Sequence, residues 1–499
     1  MGYSVIILVV FFLRGSMPGD DKYSDGTQPN MTFAGALSVL VFLLISISTQ
    51  VFWLDDTGST QITLLLVTAY ASVVAMCHGY RWHDIQNAIL YGCRIAMLPM
   101  LILMLVGVLI ASWVAAGTIP AMMYYGMLLL SPDYFLFSVC LICSIGSIST
   151  GSSWTTAATF GVGFMGIGIG LGIAPAITAG AVISGSIFGD KMSPLSDSTN
   201  LASGVAQADL FDHVKSMVYS TGPAIIISLL MYFLWGLLVQ SSGPVNDEKL
   251  LEIMNGLDTR YSLNAITLLP PILVIALVMK KVSGLAVMVL ASIFGMIIAI
   301  GLQGHSFSEM LKFMNFGYVS NIGVPDVDKI LSGGGLQNMM WTISLGFVAL
   351  SMGGVMEKTG MLDVILGKIK SLVSSVSGLV ITHVFSSIAI NIFAASQYMA
   401  VIIPTRMLVP AYKKLKLLPQ VCSRVSEDSA TVTSPLIPWG LGGVYYSSVL
   451  GVATLDYLPY TFLGLVAPII TIGLAASNKF MFREGDIVSV RAYSDQTTV

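Results

Sequence analysis

The chain has 499 residues, 55% of them hydrophobic and 10% charged, with a formal net charge of −3. A soluble globular protein carries about 25% charged residues, so this composition excludes one and points to a polytopic membrane protein. The balanced charge, with no basic cluster interleaved with exposed aromatics, excludes a nucleic-acid partner.

Val5 to Leu13 is too short an apolar run to span a bilayer, and Arg14 follows it, the reverse of a secretory signal. The run and the polar tract Gly15–Asn30 leave two readings open: a short interfacial helix, or an upstream start with Met31 as the working first residue. Spans need about 20 apolar residues, which places them at about Phe33–Trp53, Gln61–His78 and Tyr91–Ala116. Ile119–Leu130 is short for a crossing. Tyr134–Ile148 runs into the hydroxyl-rich Ser149-Thr150-Gly151-Ser152-Ser153-Trp154-Thr155-Thr156, which is either helix–helix glue or part of a cation site. Glycines at 161, 163, 166, 168, 170 and 172 permit close backbone approach.

An apolar run from Ala174 to Phe188 leads into Gly189-Asp190-Lys191-Met192-Ser193-Pro194-Leu195-Ser196-Asp197-Ser198-Thr199-Asn200. Two aspartates, a lysine, four hydroxyls and an amide surround a proline that breaks any helix and frees carbonyls. A charge near the bilayer centre costs roughly 2.5–3.5 kcal/mol, so two aspartates there need water or an ion. The bland alternative is a surface loop; the sharper reading is a cation site. Asp209, Asp212, His213 and Lys215 then read as a solvated connection before a span at Met217–Val239. Ser241–Ser262 reads as a polar break.

The second half repeats the layout, with spans near Leu263–Met279, Gly284–Leu302, Asn338–Met356, Leu379–Ala395 and Tyr460–Ser477, and a short apolar run at Val401–Val409 before a basic connection. Gly117-Thr118-Ile119 registers with Gly360-Met361-Leu362 (360 − 117 = 243), and Ser152-Ser153-Trp154 with Ser396-Gln397-Tyr398 (396 − 152 = 244). Ser193-Pro194-Leu195 registers with Ser434-Pro435-Leu436 (434 − 193 = 241). A near-constant offset is the signature of an internal repeat. Leu54–Thr60 and Gly117–Asp133 lack Lys and Arg, whereas their counterparts carry Lys280, Lys281, Lys358, Lys368 and Lys370. Since cytoplasmic loops collect positive charge, equivalent loops lie on opposite sides. The expected fold is therefore an all-α polytopic membrane protein of two inverted-topology repeats, with broken helices or re-entrant hairpins at the midplane. Its divisions are an extension (1–32), a first repeat (33–240), a connector (241–262), a second repeat (263–480) and a polar tail (481–499). The second-half counterpart of the aspartate stretch runs from Ser423 to Pro435 and holds Arg424, Glu427 and Asp428. Arg424 is one helical turn from Glu427 and suited to pair with it, which leaves Asp428 without a partner.

Gly189 to Ala202 resembles the signature of the NhaC-type sodium/proton antiporters. Gly117-Thr118-Ile119-Pro120, Gly151-Ser152-Ser153-Trp154-Thr155 and Glu427–Pro435 also resemble positions of that family, and the likeness covers the chain between its first thirty residues and its tail. The resemblance implies a multi-pass transporter of the inner (cytoplasmic) membrane that exchanges Na⁺ for H⁺ by alternating access. A branch of the family exchanges malate and protons for lactate and sodium, so a small carboxylate is the alternative cargo.

Hard cations prefer oxygen ligands. Asp190, Ser193, Asp197, Thr199 and Asn200 supply them, Ser152, Ser153 or Thr155 complete the set, and Asp428 is the candidate from the second half. Asp197 has no adjacent cation in sequence and is assigned as the shared Na⁺/H⁺ carboxylate. Asp190 is a supporting ligand or the partner of Lys191. A bound organic acid instead wants helix N-termini or an arginine, and the groups around Ser152 and Ser396–Gln397 suit that; Arg406 and Arg424 read as cytoplasmic anchors. An enzyme is not expected: an intramembrane aspartyl protease needs glycine where Ile187 stands, and no nucleotide loop, zinc spacing or serine elbow occurs. A channel fits paired hairpins less well than a carrier does. Cys77, Cys93, Cys140, Cys143 and Cys422 all lie in or beside apolar segments, with neither a disulfide framework nor zinc spacing. No cofactor is expected; the partners are the bilayer, Na⁺ and H⁺.

Overall fold

In lipid every backbone amide and carbonyl must be satisfied within its own segment, so long apolar runs become helices. The computed structural model describes residues 31–54, 59–240, 247–280, 282–323, 325–370 and 375–483. The readings of residues 1–30, of 484–499, of the turn at 55–58 and of Lys281 lie outside these residues. Among the described residues the regular structure is helical, with two isolated β-bridges.

The first half contains α1 (Phe33–Ser48), α2 (Thr60–Cys77), α3 (Trp82–Ala115), α4 (Thr118–Leu129) and α5 (Pro132–Thr150). A short α6 (Ser153–Thr156) passes through a π turn, Ala157–Gly161, into α7 (Val162–Gly170). Then come α8 (Pro175–Met192), α9 (Asp197–Ala206) and α10 (Leu210–Gln240). After α11 (Asp247–Arg260) the second half holds α12 (Leu269–Met279), α13 (Gly284–Leu302), α14 (Phe307–Phe316), α15 (Pro325–Leu331) and α16 (Met340–Lys358). It continues with α17 (Met361–Lys370), α18 (Val376–Ala394), α19 (Gln397–Lys414) and α20 (Pro419–Ser426), which a π turn, Glu427–Thr431, prolongs. The last helices are α21 (Leu441–Leu450), α22 (Thr454–Tyr457) and α23 (Phe462–Ala476). Seven helices among the described residues are long and apolar enough to cross a bilayer, or nine if two bent pairs each form one span. The protein is an all-α polytopic membrane protein with broken helices.

Three local expectations need correction. Residues 241–262 are not a plain polar break, because α11 occupies most of them. The stretch expected as a solvated connection opens α10 instead. There His213 is buried, with Nδ1 2.7 Å from the Ser423 hydroxyl. The third span starts nine residues early at Trp82, where the Asp84 carboxylate accepts the Arg81 amide at 2.9 Å and caps the helix.

Equivalent elements recur at one offset. The starts of α5 and α18 differ by 244 (376 − 132), as do those of α6 and α19 (397 − 153), α8 and α20 (419 − 175) and α9 and α21 (441 − 197). Backbone geometry follows the same register. Left-handed residues end the elements at Gly117 and Gly360 (φ 75° and 71°), Gly151 and Ala395 (64° and 53°), and Gln207 and Gly451 (60° and 68°). At Ala395 a Cβ is present where glycine is favoured, a conformation that costs roughly 1–2 kcal/mol. That strain is held at the point where α18 gives way to α19. On the far side of both breaks a serine caps the next helix: Ser152 Oγ accepts the Thr155 amide at 3.2 Å, and Ser396 Oγ the Met399 amide at 3.4 Å.

Side chains such as Ile45, Ile226, Ile297 and Ile469 face outward, as a lipid-facing surface requires. Inside, α8 presses onto α5 so closely that a Cβ at Gly189 would collide with the Ser144 carbonyl oxygen. This contact fixes the height of the residue that follows, Asp190.

Candidate ion site

Asp190 lies in the last turn of α8 and is 5% exposed. The Ser153 hydroxyl, on the first residue of α6, donates to its Oδ2 at 2.7 Å, and the Ser196 hydroxyl also lies beside this carboxylate. The helix ends at Met192 because Pro194 forces Ser193 into an extended conformation (ψ 125°). The break is therefore shorter than the twelve-residue stretch suggests: Asp190 and Lys191 are helical, and Asp197 already opens α9.

Asp197 is exposed to a cavity rather than buried. Its Oδ2 accepts the Tyr398 hydroxyl at 2.7 Å and its Oδ1 the Ser198 amide at 3.0 Å. Asp190 and Asp197 line one cavity of about 60 Å³ together with Ser152, Ser153, Gln397 and Tyr398. The starts of α6 and α19 thus meet there, one from each half. Asp197, Leu98, Pro99 and Tyr398 also line a second cavity of about 330 Å³, which extends to Tyr91 and Glu357.

The other candidate ligands bond within the fold. Ser193 Oγ donates to the Ile148 carbonyl at 2.9 Å. Thr199 Oγ1 reaches the Asp190 and Lys191 carbonyls at 3.3 and 3.2 Å and ties α9 to the end of α8. Asn200 Nδ2 donates to the Ser196 and Pro194 carbonyls at 2.6 and 3.1 Å, closing the loop. Thr155 Oγ1 donates to Ser152 Oγ at 3.1 Å.

The pairings expected around the second carboxylate group are different. Lys191 is not the partner of Asp190; its Nζ lies 2.7 Å from Asp428 Oδ1, and both side chains are fully buried. Asp428 is therefore not unpaired. It also accepts Thr221 at 3.1 Å and Thr471 at 2.7 Å. The physical reason is direction, since side chains adjacent on a helix diverge by about 100°. Arg424 does not pair with Glu427 and is no surface anchor. It is buried and donates to the Ser216 and Phe480 carbonyls at 3.3 and 2.9 Å. Glu427 is fully buried, with Lys191 and the Ser198 and Thr431 hydroxyls around it.

Tyr398 was legible only as the repeat partner of Trp154. The roles of Thr221 and Thr471 had no sequence signal, because each meets Asp428 across a long separation in the chain. No cluster of His, Cys, Asp and Glu suited to a resident metal occurs among the described residues.

One buried and one exposed carboxylate, with hydroxyls and two helix starts around one cavity inside an all-α membrane protein, define an integral membrane protein with a polar site between its halves. Comparison with known proteins is more specific. The model of the Na⁺/H⁺ antiporter family matches residues 27–199 and 185–479. The Na⁺/H⁺ antiporter NhaC of Alkalihalophilus pseudofirmus is 37% identical over 446 residues, covering 89% of this chain and 96% of that protein. The arginine/ornithine antiporter ArcD of Halobacterium salinarum is 38% identical over 414 residues, 83% of this chain and 85% of that one. The malate-2H⁺/Na⁺-lactate antiporter of Bacillus subtilis is 33% identical over 442 residues, 89% of this chain and 94% of that one. The chain belongs to the Na⁺/H⁺ antiporter family.

Proposed function

We propose that the protein exchanges Na⁺ for H⁺ across the cytoplasmic membrane by alternating access, with Asp197 as the carboxylate the two ions share. One observation carries the reading: two carboxylates face a cavity of about 60 Å³ whose lining has no cationic side chain. A water needs about 10–15 Å³ of such space, so the cavity suits a dehydrated Na⁺ and a few waters and is too small for a four-carbon dicarboxylate. Two like charges in one small site repel, and a cation between them relieves that repulsion. Sodium entering from the larger cavity meets Asp197 first, and Asp190, Ser152 and Ser153 offer further oxygens. Its charge favours release of the proton, and loss of Na⁺ favours its return. That competition couples the two fluxes.

The recurrence of elements at an offset of 243 or 244 supports two repeats, and the lysines on their non-equivalent ends support an inverted relation. Rocking of one half against the other then carries the site from one side to the other. The second reading, exchange of a small carboxylate, is favoured by the two helix starts at the cavity, because helix N-termini attract anions. The arginine/ornithine relative adds cationic amino acids to the cargoes worth testing.

Purified protein in liposomes separates these. With Na⁺, Li⁺, K⁺, malate, lactate, arginine and ornithine tested against a pH gradient, Na⁺ alone is expected to move protons. Flux that starts only when an organic substrate is added overturns the simple exchange.

A further inference from the structure

The cavities described so far lie along one helix. On α3, Tyr91 and Ile95 border the 330 Å³ cavity, Leu98 and Pro99 both cavities, and Ile102 the ion cavity. Further along, Ile110 borders a third cavity of about 560 Å³. Tyr91 to Ile110 is 19 residues, about 29 Å at 1.5 Å per residue, close to the roughly 30 Å of a hydrocarbon core. The path thus crosses the thickness of a membrane.

Two more helices trace its second part. The stretch from α6 to α7 begins at the ion cavity with Ser153 and reaches the third cavity at Val162, Met165 and Ile169. Helix α21 begins at the ion cavity with Leu441 and Gly442 and reaches the third cavity at Ser448 and Val449. Between these ends stands one compact obstruction. The Trp154 and Tyr445 rings stack with centroids 4.0 Å apart and an interplanar angle of 17°. The Tyr445 hydroxyl donates to the Trp154 carbonyl at 2.6 Å, and the Tyr446 ring meets Tyr445 edge-on at 5.3 Å. Each member of the stack comes from a different half of the chain. Gly172 and Gly451, at the far mouth, are exposed, so the third cavity opens outward beyond the stack.

We propose that the 560 Å³ cavity is the external half of the ion path, filled by water and hydrated Na⁺, and that the Trp154–Tyr445 stack is the barrier closing it from the ion site. This rests on the transport reading but not on the identity of the cargo. In the state described here the site communicates with the Glu357 side. Arg94 and Lys358 border a further cavity beside Tyr91 on that side, which by the positive-inside rule is cytoplasmic. Opening outward requires the stack to part, and its two rings stand on separate helices, Trp154 on α6 and Tyr445 on α21.

The test uses single cysteines at Ile95, Ile102 and Ile169 in the full-length protein with its five native cysteines replaced. They are probed with a membrane-impermeant thiol reagent in oriented membranes without added substrate. Ile169→Cys is expected to react from outside and Ile95→Cys from the cytoplasmic side. Ile102→Cys should react mainly from the cytoplasmic side, and adding Tyr445→Ala should raise its labelling from outside at least several-fold. Tyr445→Phe keeps the ring and removes its hydrogen bond, and is expected to give a smaller rise. Labelling of Ile169→Cys from the cytoplasmic side alone overturns the path. Equal external labelling of Ile102→Cys with and without Tyr445→Ala overturns the barrier. If Tyr445→Ala does not assemble, Tyr445→Phe decides, and no change with it also overturns the barrier. A carrier of organic acids would give the same pattern, so failure here is distinct from failure of the Na⁺/H⁺ reading.

Discussion

Asp197→Asn is expected to reduce Na⁺/H⁺ exchange to the rate of empty liposomes while the protein still folds. Asparagine keeps the volume and an oxygen that can accept the Tyr398 hydroxyl and the Ser198 amide, the two bonds Asp197 makes now. It loses the negative charge that, on the proposed reading, a proton and a cation share. Asp190 differs because it is 5% exposed and bonded to Ser153, behind Asp197 as approached from the larger cavity. Asp190→Asn should weaken apparent Na⁺ affinity and leave some turnover. The check is exchange across a pH series at matched protein levels. Robust exchange by Asp197→Asn beside an inactive Asp190→Asn would reverse the two roles, and full activity in both would remove this pair as the ion site.

The second large effect is on stability. Asp428→Asn takes away the carboxylate that the fully buried Lys191 ammonium contacts directly, since the two stand 2.7 Å apart with neither exposed, and leaves only Glu427 nearby. Removing one member of a buried ion pair costs about 3–5 kcal/mol because the survivor keeps its desolvation penalty. Replacing both with apolar residues of similar size, as in Lys191→Met with Asp428→Leu, should recover much of that loss. Thermal unfolding of the purified protein in detergent reads both. An unchanged midpoint for Asp428→Asn would mean that the pair does not hold α8 to the π turn after α20.

Much of this architecture was legible in the sequence, for definable reasons. The hydrophobic runs gave the helices because the bilayer leaves few alternatives. Three short matches gave the repeat register, which the left-handed residues at Gly151 and Ala395 follow in backbone geometry. Tyr398 could be anticipated from the same register, since it falls opposite Trp154. The local extent of the helix break was misread because composition does not show where a helix stops. Pro194 constrains the residue before it, so α8 continues through Asp190 and Lys191. The helix at Asp247–Arg260 was hidden by its polar composition. Lys191 and Asp428 lie 237 residues apart, so sequence order offers only Asp190 as a partner for the lysine and leaves Asp428 without one. Only the packing of α8 against the second half turns the lysine to Asp428.

The central claim is that Na⁺ and H⁺ compete for one carboxylate between the two repeats. It is tested most directly by proton release when Na⁺ is added to purified protein in weakly buffered detergent solution, with no organic acid or amino acid present. Wild type is expected to release protons in saturable fashion, with apparent Na⁺ affinity rising as pH rises, and Asp197→Asn to lose most of that release. Release that is absent with Na⁺, or equally large in Asp197→Asn, would contradict the account.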